Sequence, residues 1–306
     1  MDALSDILKT IRLHASTYFC SDFNTPWGME ISQVSSGLFH VIVEGECWLK
    51  LPNNLQSIHM NEGDIVAFPT GGAHSISDQP TSEKQPGPVV IEKILNGENP
   101  FYDLGGRPHS GQQTLMCGSF DYDASISHPF LKDLPCFIHI RANETPELGW
   151  LRELVAVLSR ESRQPSPGSS VVVDRLTEVL FIQLLRHYVR QESSNLGYLS
   201  ALSDAKVGRA LNLIHGEERA QWSVETLGKE VALSRSAFTD RFTKRVGLSP
   251  KTYLMNWRMQ KARSKLEHTE LSMFDIAQSA GYSSEAAFSK AFKALFEITP
   301  GSLRKH

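Results

Sequence analysis

Between residues 30 and 77, apolar and polar positions alternate in short runs cut by turn residues. Leu38-Phe-His-Val-Ile-Val43 ends at Gly45, Cys47-Trp-Leu-Lys-Leu51 ends at Pro52-Asn-Asn54, and Ile65-Val-Ala-Phe68 ends at Pro69. Runs of this length bounded by Gly, Pro and Asn predict strands of an all-β sandwich or small barrel. Residues 79–112 are rich in Pro and Gly and predict loop plus strand, and Cys136-Phe-Ile-His-Ile140 predicts a last strand. The spacing then becomes helical. Leu148, Leu151, Leu154, Val155 and Leu158 recur at the 3.6-residue period. So do Leu176, Val179, Leu180, Gln183 and Leu184, in a helix running to about Gln191. Gln164-Pro-Ser-Pro-Gly168 separates the two helices. Such a pair either closes the β-domain or packs on a partner chain. Glu192-Ser-Ser-Asn-Leu-Gly197 reads as a linker.

The last hundred residues repeat themselves. Ser234-Arg-Ser-Ala-Phe238-Thr-Asp-Arg-Phe242 returns fifty residues later as Ser284-Glu-Ala-Ala-Phe288-Ser-Lys-Ala-Phe292, each copy after a short apolar helix. A short helix, a tight turn and a Ser-capped second helix make a helix-turn-helix. Seven helices fit residues 204–306, with Ser223, Ser234 and Ser272 as N-caps. The stretch from Pro250 to Leu266 predicts one long helix with Tyr253, Leu254, Trp257, Lys261 and Ala262 along one side. About sixteen residues span roughly 24 Å, enough to hold two recognition helices about one turn of DNA apart. Phe238, Phe242, Phe288 and Phe292 face inward, since i and i+4 share a face. The opposite face then presents Arg235, Ser236, Thr239 and Asp240 on the first recognition helix, and Glu285, Ala286, Ser289 and Lys290 on the second. Arg241, Lys244, Arg245, Arg258 and Lys293 remain for phosphates or internal ion pairs.

Charge supports this division. The chain as a whole carries a net −3, yet from Ser203 onward 17 Lys and Arg face 11 Asp and Glu, a net +6 that leaves −9 on residues 1–202. A basic half on an acidic one separates a nucleic-acid end from a regulatory end. No run of eighteen apolar residues predicts a membrane span, and the start Met1-Asp-Ala-Leu-Ser-Asp6 lacks a signal-peptide pattern, so a cytoplasmic chain is expected. Cys20, Cys47, Cys117 and Cys136 lack CxxC spacing, and structural disulfides are not expected in that compartment.

The C-terminal residues resemble the AraC family of transcription regulators. The resemblance rests on Gly247-Leu-Ser-Pro250, Tyr253-Leu254, Arg258, Ala262, Leu266, Ile276-Ala277, Gly281-Tyr282, Phe288-Ser-Lys-Ala-Phe-Lys293 and Thr299-Pro300. It departs from the family at Ala232, a turn position often Gly, and at Glu297, where Gly usually precedes Thr-Pro. Residues 37–74 resemble the cupin barrel, with Gly63-Asp-Ile-Val-Ala-Phe-Pro69-Thr-Gly71-Gly-Ala-His74 matching its second motif and Asp78 replacing the usual Asn. The first cupin motif lacks its His-x-His pair. A metal needs several converging ligands, and His74 with His40, His59 or His109 as helpers does not make a set in the sequence. The resemblance implies a sensory domain without metal or other cofactor and without a catalytic residue.

The expectation is an α+β chain: a cupin-like sensory domain at 1–145, a helical connector or dimerisation segment at 146–202, and an all-α DNA-binding domain with two helix-turn-helix units at 203–306. Its function is sequence-specific binding of double-stranded promoter DNA, with activation by recruiting RNA polymerase. The signal is an oxidant or a small ligand, and a homodimer is compatible with the connector. Cys20, Cys117 and His74 are the sensory candidates, because the resemblance implies cysteines at these places and some such regulators respond to oxidants. A partly exposed Cys117 near Arg107 and His109, bonding with Cys20, is one form of sensing. Cys47 and Cys136 are expected as buried packing. The rival reading is a metal-dependent cupin enzyme fused to a DNA-binding domain.

Overall fold

A computed structural model describes residues 2–52, 56–102, 112–123, 128–142, 149–191, 197–216 and 222–304. Contacts divide the chain into two compact units. One comprises Leu13–Tyr122 and Leu134–Tyr188, the other Met1–Arg12, Asp123–Asp133 and Val189–His306. These units do not follow the expected cuts after 145 and 202, because two early segments join the C-terminal unit. Leu148, His109, Arg107 and residues 192–196 of the expected linker lie outside the described residues.

The first unit is built on two sheets. One holds β1 (His14–Asn24), β9 (Gln112–Asp121), β3 (Gly37–Glu44), β6 (Ile65–Phe68) and β10 (Ile138–Ile140), in that order. The other holds β5 (Ile58–Asn61), β4 (Glu46–Lys50), β7 (His74–Ser77), β2 (Gly28–Ile31) and β8 (Gln85–Pro86). Inward-facing residues of both sheets, among them Phe19, Phe23, Trp27, Leu49, Met60, Phe68, Ile76 and Leu115, form one buried cluster. Residues 79–112, expected as loop plus strand, contain a helix, α2 (Gly87–Leu95). Its Pro88 sits in the first turn, where the missing N–H costs nothing and the fixed φ suits a helix start. The helices α4 (Gly149–Arg163) and α5 (Ser169–Gln191) belong to this unit. Phe181 stacks on Phe120 at 4.0 Å and the Thr177 hydroxyl meets that of Thr17 at 2.9 Å, so α5 closes the sheet. Val171, Val172 and Val179 stay exposed on its outer side.

The second unit is helical: α1 (Ala3–Thr10), α3 (Pro129–Lys132), α6 (Tyr198–Ser203), α7 (Val207–Gly216), α8 (Val224–Glu230), α9 (Arg235–Val246), α10 (Pro250–His268), α11 (Met273–Ser279), α12 (Glu285–Phe296) and a 3-10 turn at Pro300–Leu303. Serine hydroxyls satisfy the free N–H groups at five starts: Ser223 to Thr226, Ser234 to Ala237, Ser249 to Thr252, Ser272 to Asp275 and Ser284 to Ala287. Ala232 (φ 52°) and Glu297 (φ 63°) adopt the left-handed backbone that the sequence departures place in question. The second turn, Gly281-Tyr-Ser-Ser284, is one residue longer than Ala232-Leu-Ser234. Gly281 takes the position of Ala232, each donating its N–H to the carbonyl three residues back. No described helix is long and apolar enough to cross a membrane.

Candidate nucleic-acid interface and sensory core

The two recognition helices, α9 and α12, bury matching residues. Phe238 and Phe242 pack at 5.5 Å between ring centroids, as do Phe288 and Phe292. All four are fully buried. The opposite faces carry the expected residues. Arg235, Ser236 and Asp240 are exposed and Thr239 is half-buried on α9, while Glu285, Ala286 and Lys290 are exposed and Ser289 is half-buried on α12. The nineteen-residue α10 between the two helix-turn-helix units spans about 28 Å.

Three of the five remaining cations are committed internally. The Arg241 guanidinium donates to both oxygens of Asp204, with Nη2 at 2.8 Å, and Arg245 reaches the same carboxylate at 3.5 Å. Burial works to raise the Asp204 carboxyl, but hydrogen bonds from Arg241 and from the backbone of Val207 and Lys206 leave it below its ordinary value. Arg258 donates to the Trp222 carbonyl at 2.8 Å. Lys244 and Lys293 are exposed.

A buried polar hub lies under the first helix-turn-helix. The Asp6 carboxylate only accepts, so His215 Nδ1 donates to it (3.1 Å) and His215 Nε2 accepts from the Tyr253 hydroxyl (2.7 Å). The Phe130 N–H donates to His128 Nδ1 (3.1 Å), so His128 Nε2 donates to Tyr253 (3.2 Å). The Tyr198 hydroxyl then donates to the Tyr253 oxygen (2.7 Å). One donor and two acceptors exhaust the Tyr253 hydroxyl. Every ring stays neutral: burial drives His128 down to about 3, and His215 is lowered by burial against the pull of Asp6. Lys261 Nζ meets the other Asp6 oxygen at 2.5 Å. No sequence pattern announces this hub, because its members come from five separate segments.

In the sheet unit, His40 and His74 are buried and face each other Nε2 to Nε2 at 2.8 Å. His74 Nδ1 donates to the Gly72 carbonyl at 2.7 Å, leaving its Nε2 to accept from His40; His40 Nδ1 then accepts the Cys117 thiol proton at 2.9 Å. Burial lowers His74 to about 4 and His40 well below its ordinary value. His74 also stacks on Phe68 at 3.7 Å and lines a cavity of about 550 Å³ with Lys50, Lys84 and Gln33. This is a hydrogen-bonded line, not a ligand cluster: the thiol and His74 meet opposite nitrogens of one ring. Among the described residues no three His, Cys, Asp or Glu side chains form a metal-holding group. His59 is paired with Glu46 at 3.0 Å.

The cysteines differ from expectation. Cys117 is 3% exposed and Cys20 is 9% exposed, so neither is the partly open thiol that sensing by thiolate asks for. Burial pushes both thiols up, in Cys20 against a hydrogen bond from Ser159. The expected bond between them is also opposed by the sheet. Phe19 pairs with Cys117 and Cys20 with Met116. Phe19 and Cys117 point into the buried cluster, while Cys20 Sγ meets Ser159 of α4 at 3.3 Å. Successive strand residues face opposite sides, so the two sulfurs lie on opposite faces of one sheet. Cys47 is buried as expected, whereas Cys136 is exposed.

Known proteins match both halves. A family model described as Cupin matches residues 2–190, and a helix-turn-helix domain model matches residues 227–306. The regulator AlkR of Acinetobacter baylyi is 31% identical across 100% of this chain and 99% of its own length. An uncharacterized HTH-type transcriptional regulator of Haemophilus influenzae is 30% identical at the same coverage. RclR of Escherichia coli, named an RCS-specific transcriptional activator, is 26% identical across 100% of this chain and 98% of its own.

Proposed function

Because the chain belongs to the AraC-like helix-turn-helix transcriptional regulators with an N-terminal cupin domain, we propose that α9 and α12 each read one stretch of a promoter. The observation that carries this reading is the pair of capped recognition helices, each with two buried phenylalanines inside and a polar face outside. Arg235, Ser236, Thr239 and Asp240 serve one stretch; Glu285, Ala286, Ser289 and Lys290 serve the other. The chain acts in the cytoplasm as an activator that recruits RNA polymerase, and the exposed valines of α5 support a homodimer. The test is a binding-site selection with full-length protein. Arg235→Ala relaxes preference in one half of the site and Lys290→Ala in the other, each by roughly 1–3 kcal/mol. Equal weakening on every sequence would assign both residues to phosphate instead.

The signal acts on the sheet unit. Two buried thiols with raised pKa support a small ligand as the signal, and the cavity lined in part by His74 is a place for it. Response to an oxidant is the second reading. It is favoured by the hydrogen bond from Cys117 to His40 and by the name of the relative RclR.

A further inference from the structure

Two members of the hub under the first helix-turn-helix, Asp6 and His128, come from chain that the sequence assigns to the sensory half. Asp6 comes from α1 and His128 caps α3, while Tyr198, His215 and Tyr253 come from α6, α7 and α10. Around Asp6 the contacts continue. Asn212 of α7 accepts from the Ala3 N–H at 2.8 Å, and Arg12 pairs with Glu267 of α10. The Asp133 carboxylate accepts from the Tyr198 N–H at the start of α6. The N-terminal helix therefore grips α10, the element that separates the two recognition helices.

The path of the chain gives these grips a second meaning. After Arg12 the chain passes directly into β1, and after β9 it returns at Asp123. On the sheet side of these crossings His14 pairs with Asp121, and on the helical side the Asp123 N–H donates to the Ile11 carbonyl at 2.9 Å. The two strands that adjoin the hub segments are thus a hydrogen-bonded pair, and β9 carries Cys117, the end of the His74–His40 line.

We propose that α1 and α3 with its cap His128 are integral parts of the DNA-binding head, and that the β1–β9 pair transmits the state of the barrel to DNA affinity through them. This rests on the reading of the helical unit as the DNA-binding one. A change in β1–β9 pairing shifts the Ile11–Asp123 hydrogen bond beside α1 and so loosens Asp6, His215 and Tyr253 at the base of α10. Coupling of this kind between two sites is typically worth about 5–150-fold in affinity.

The experiment uses full-length protein and a promoter mapped for it. Asp6→Ala weakens promoter binding by roughly tenfold and speeds amide exchange in α7 and α10, while β3 and β6 keep wild-type protection. A second variant acts at a distance. Asp22 accepts from Thr114 at 2.7 Å across β1 and β9 and pairs with Arg163 at 2.8 Å, far along the strands from the crossing. Asp22→Ala speeds exchange in α1 and lowers affinity several-fold; flexible Gly-Ser linkers inserted after Arg12 and after Tyr122 abolish the effect of Asp22→Ala. Wild-type affinity and wild-type exchange in Asp6→Ala would overturn the proposal, as would unchanged α1 exchange in Asp22→Ala. A wild-type chain that does not bind its promoter overturns the DNA-binding reading itself. If Asp6→Ala does not fold, the Asp22→Ala arm decides alone.

Discussion

Tyr253→Phe removes one oxygen atom and keeps the ring. The ring is buried among Tyr198, Phe242 and His128, so the packing survives the change. What is lost is the hub. The His215 Nε2 acceptor, the Tyr198 hydroxyl and the His128 Nε2 donor all lose a partner in a site closed to water. An unsatisfied buried polar group costs about 1–3 kcal/mol, and partial re-pairing among the three orphans brings the total to about 3 kcal/mol. For a body of this size that lowers the melting temperature by roughly 6–12 °C. The measurement is calorimetry of the full-length chain with hydrogen exchange read separately in α7, α10 and the strands. Tyr198→Phe alone removes a single donor and costs about 1 kcal/mol. The double variant Tyr198→Phe/Tyr253→Phe costs less than the sum, because the first change has already removed one orphan of the second. A Tyr253→Phe chain within 0.5 kcal/mol of wild type, a size expected of ordinary surface substitutions, refutes the assignment of donors and acceptors in the hub.

Three further outcomes are expected. Ala232→Gly and Glu297→Gly each stabilise the helical unit by about 1 kcal/mol, since a left-handed backbone disfavours a Cβ by roughly that amount; chemical denaturation measures it, and loss of stability in both would show that these backbones are not strained. His74 and His128 are held neutral at about 4 and about 3, against an ordinary 6.5. Their stabilising contribution is complete above pH 6.5 and falls as the pH drops toward those values, by about 2 kcal/mol each at pH 5; a melting temperature that is flat from pH 7 to 5 contradicts this. Finally, Cys20→Ser and Cys117→Ser leave a peroxide-treated promoter reporter responding as wild type, because both thiols are buried with raised pKa; loss of the response in either variant would restore the cysteine as the sensor.

Much of this architecture is legible in the sequence where one local period governs. The strands around Leu38, Cys47 and Ile65 declare themselves by alternation, and α9 and α12 by their paired phenylalanines and serine caps. The recognition faces follow from the same period. The errors come from information that is not local. Helix α2 hides behind Pro86, Gly87 and Pro88, which read as loop until Pro88 is seen as a first-turn residue. Cys136 looks like the first residue of a strand, but the strand begins at Ile138 and the alternation does not reach it. The faces of Cys20 and Cys117 depend on which residue of β1 meets which of β9, and register is not written in either strand alone. The hub depends on five segments meeting, so neither charge nor spacing could have marked Asp6 or His128.

The place of α1 bears on how the molecule is made. Its apolar side, with Ala3, Ile7 and Leu8, is buried against residues that follow it by some two hundred positions. On a ribosome that adds about 5–20 residues per second, α1 emerges roughly 10–50 s before α10 is complete. During that interval the short helix has no docking surface, and an isolated helix of its length is marginal in water. The nascent barrel can close while its leading segment waits. A helix synthesised ahead of the barrel is thus among the last elements to find its place, and early chain release or a truncated transcript leaves this amphipathic segment open to chaperones and proteases.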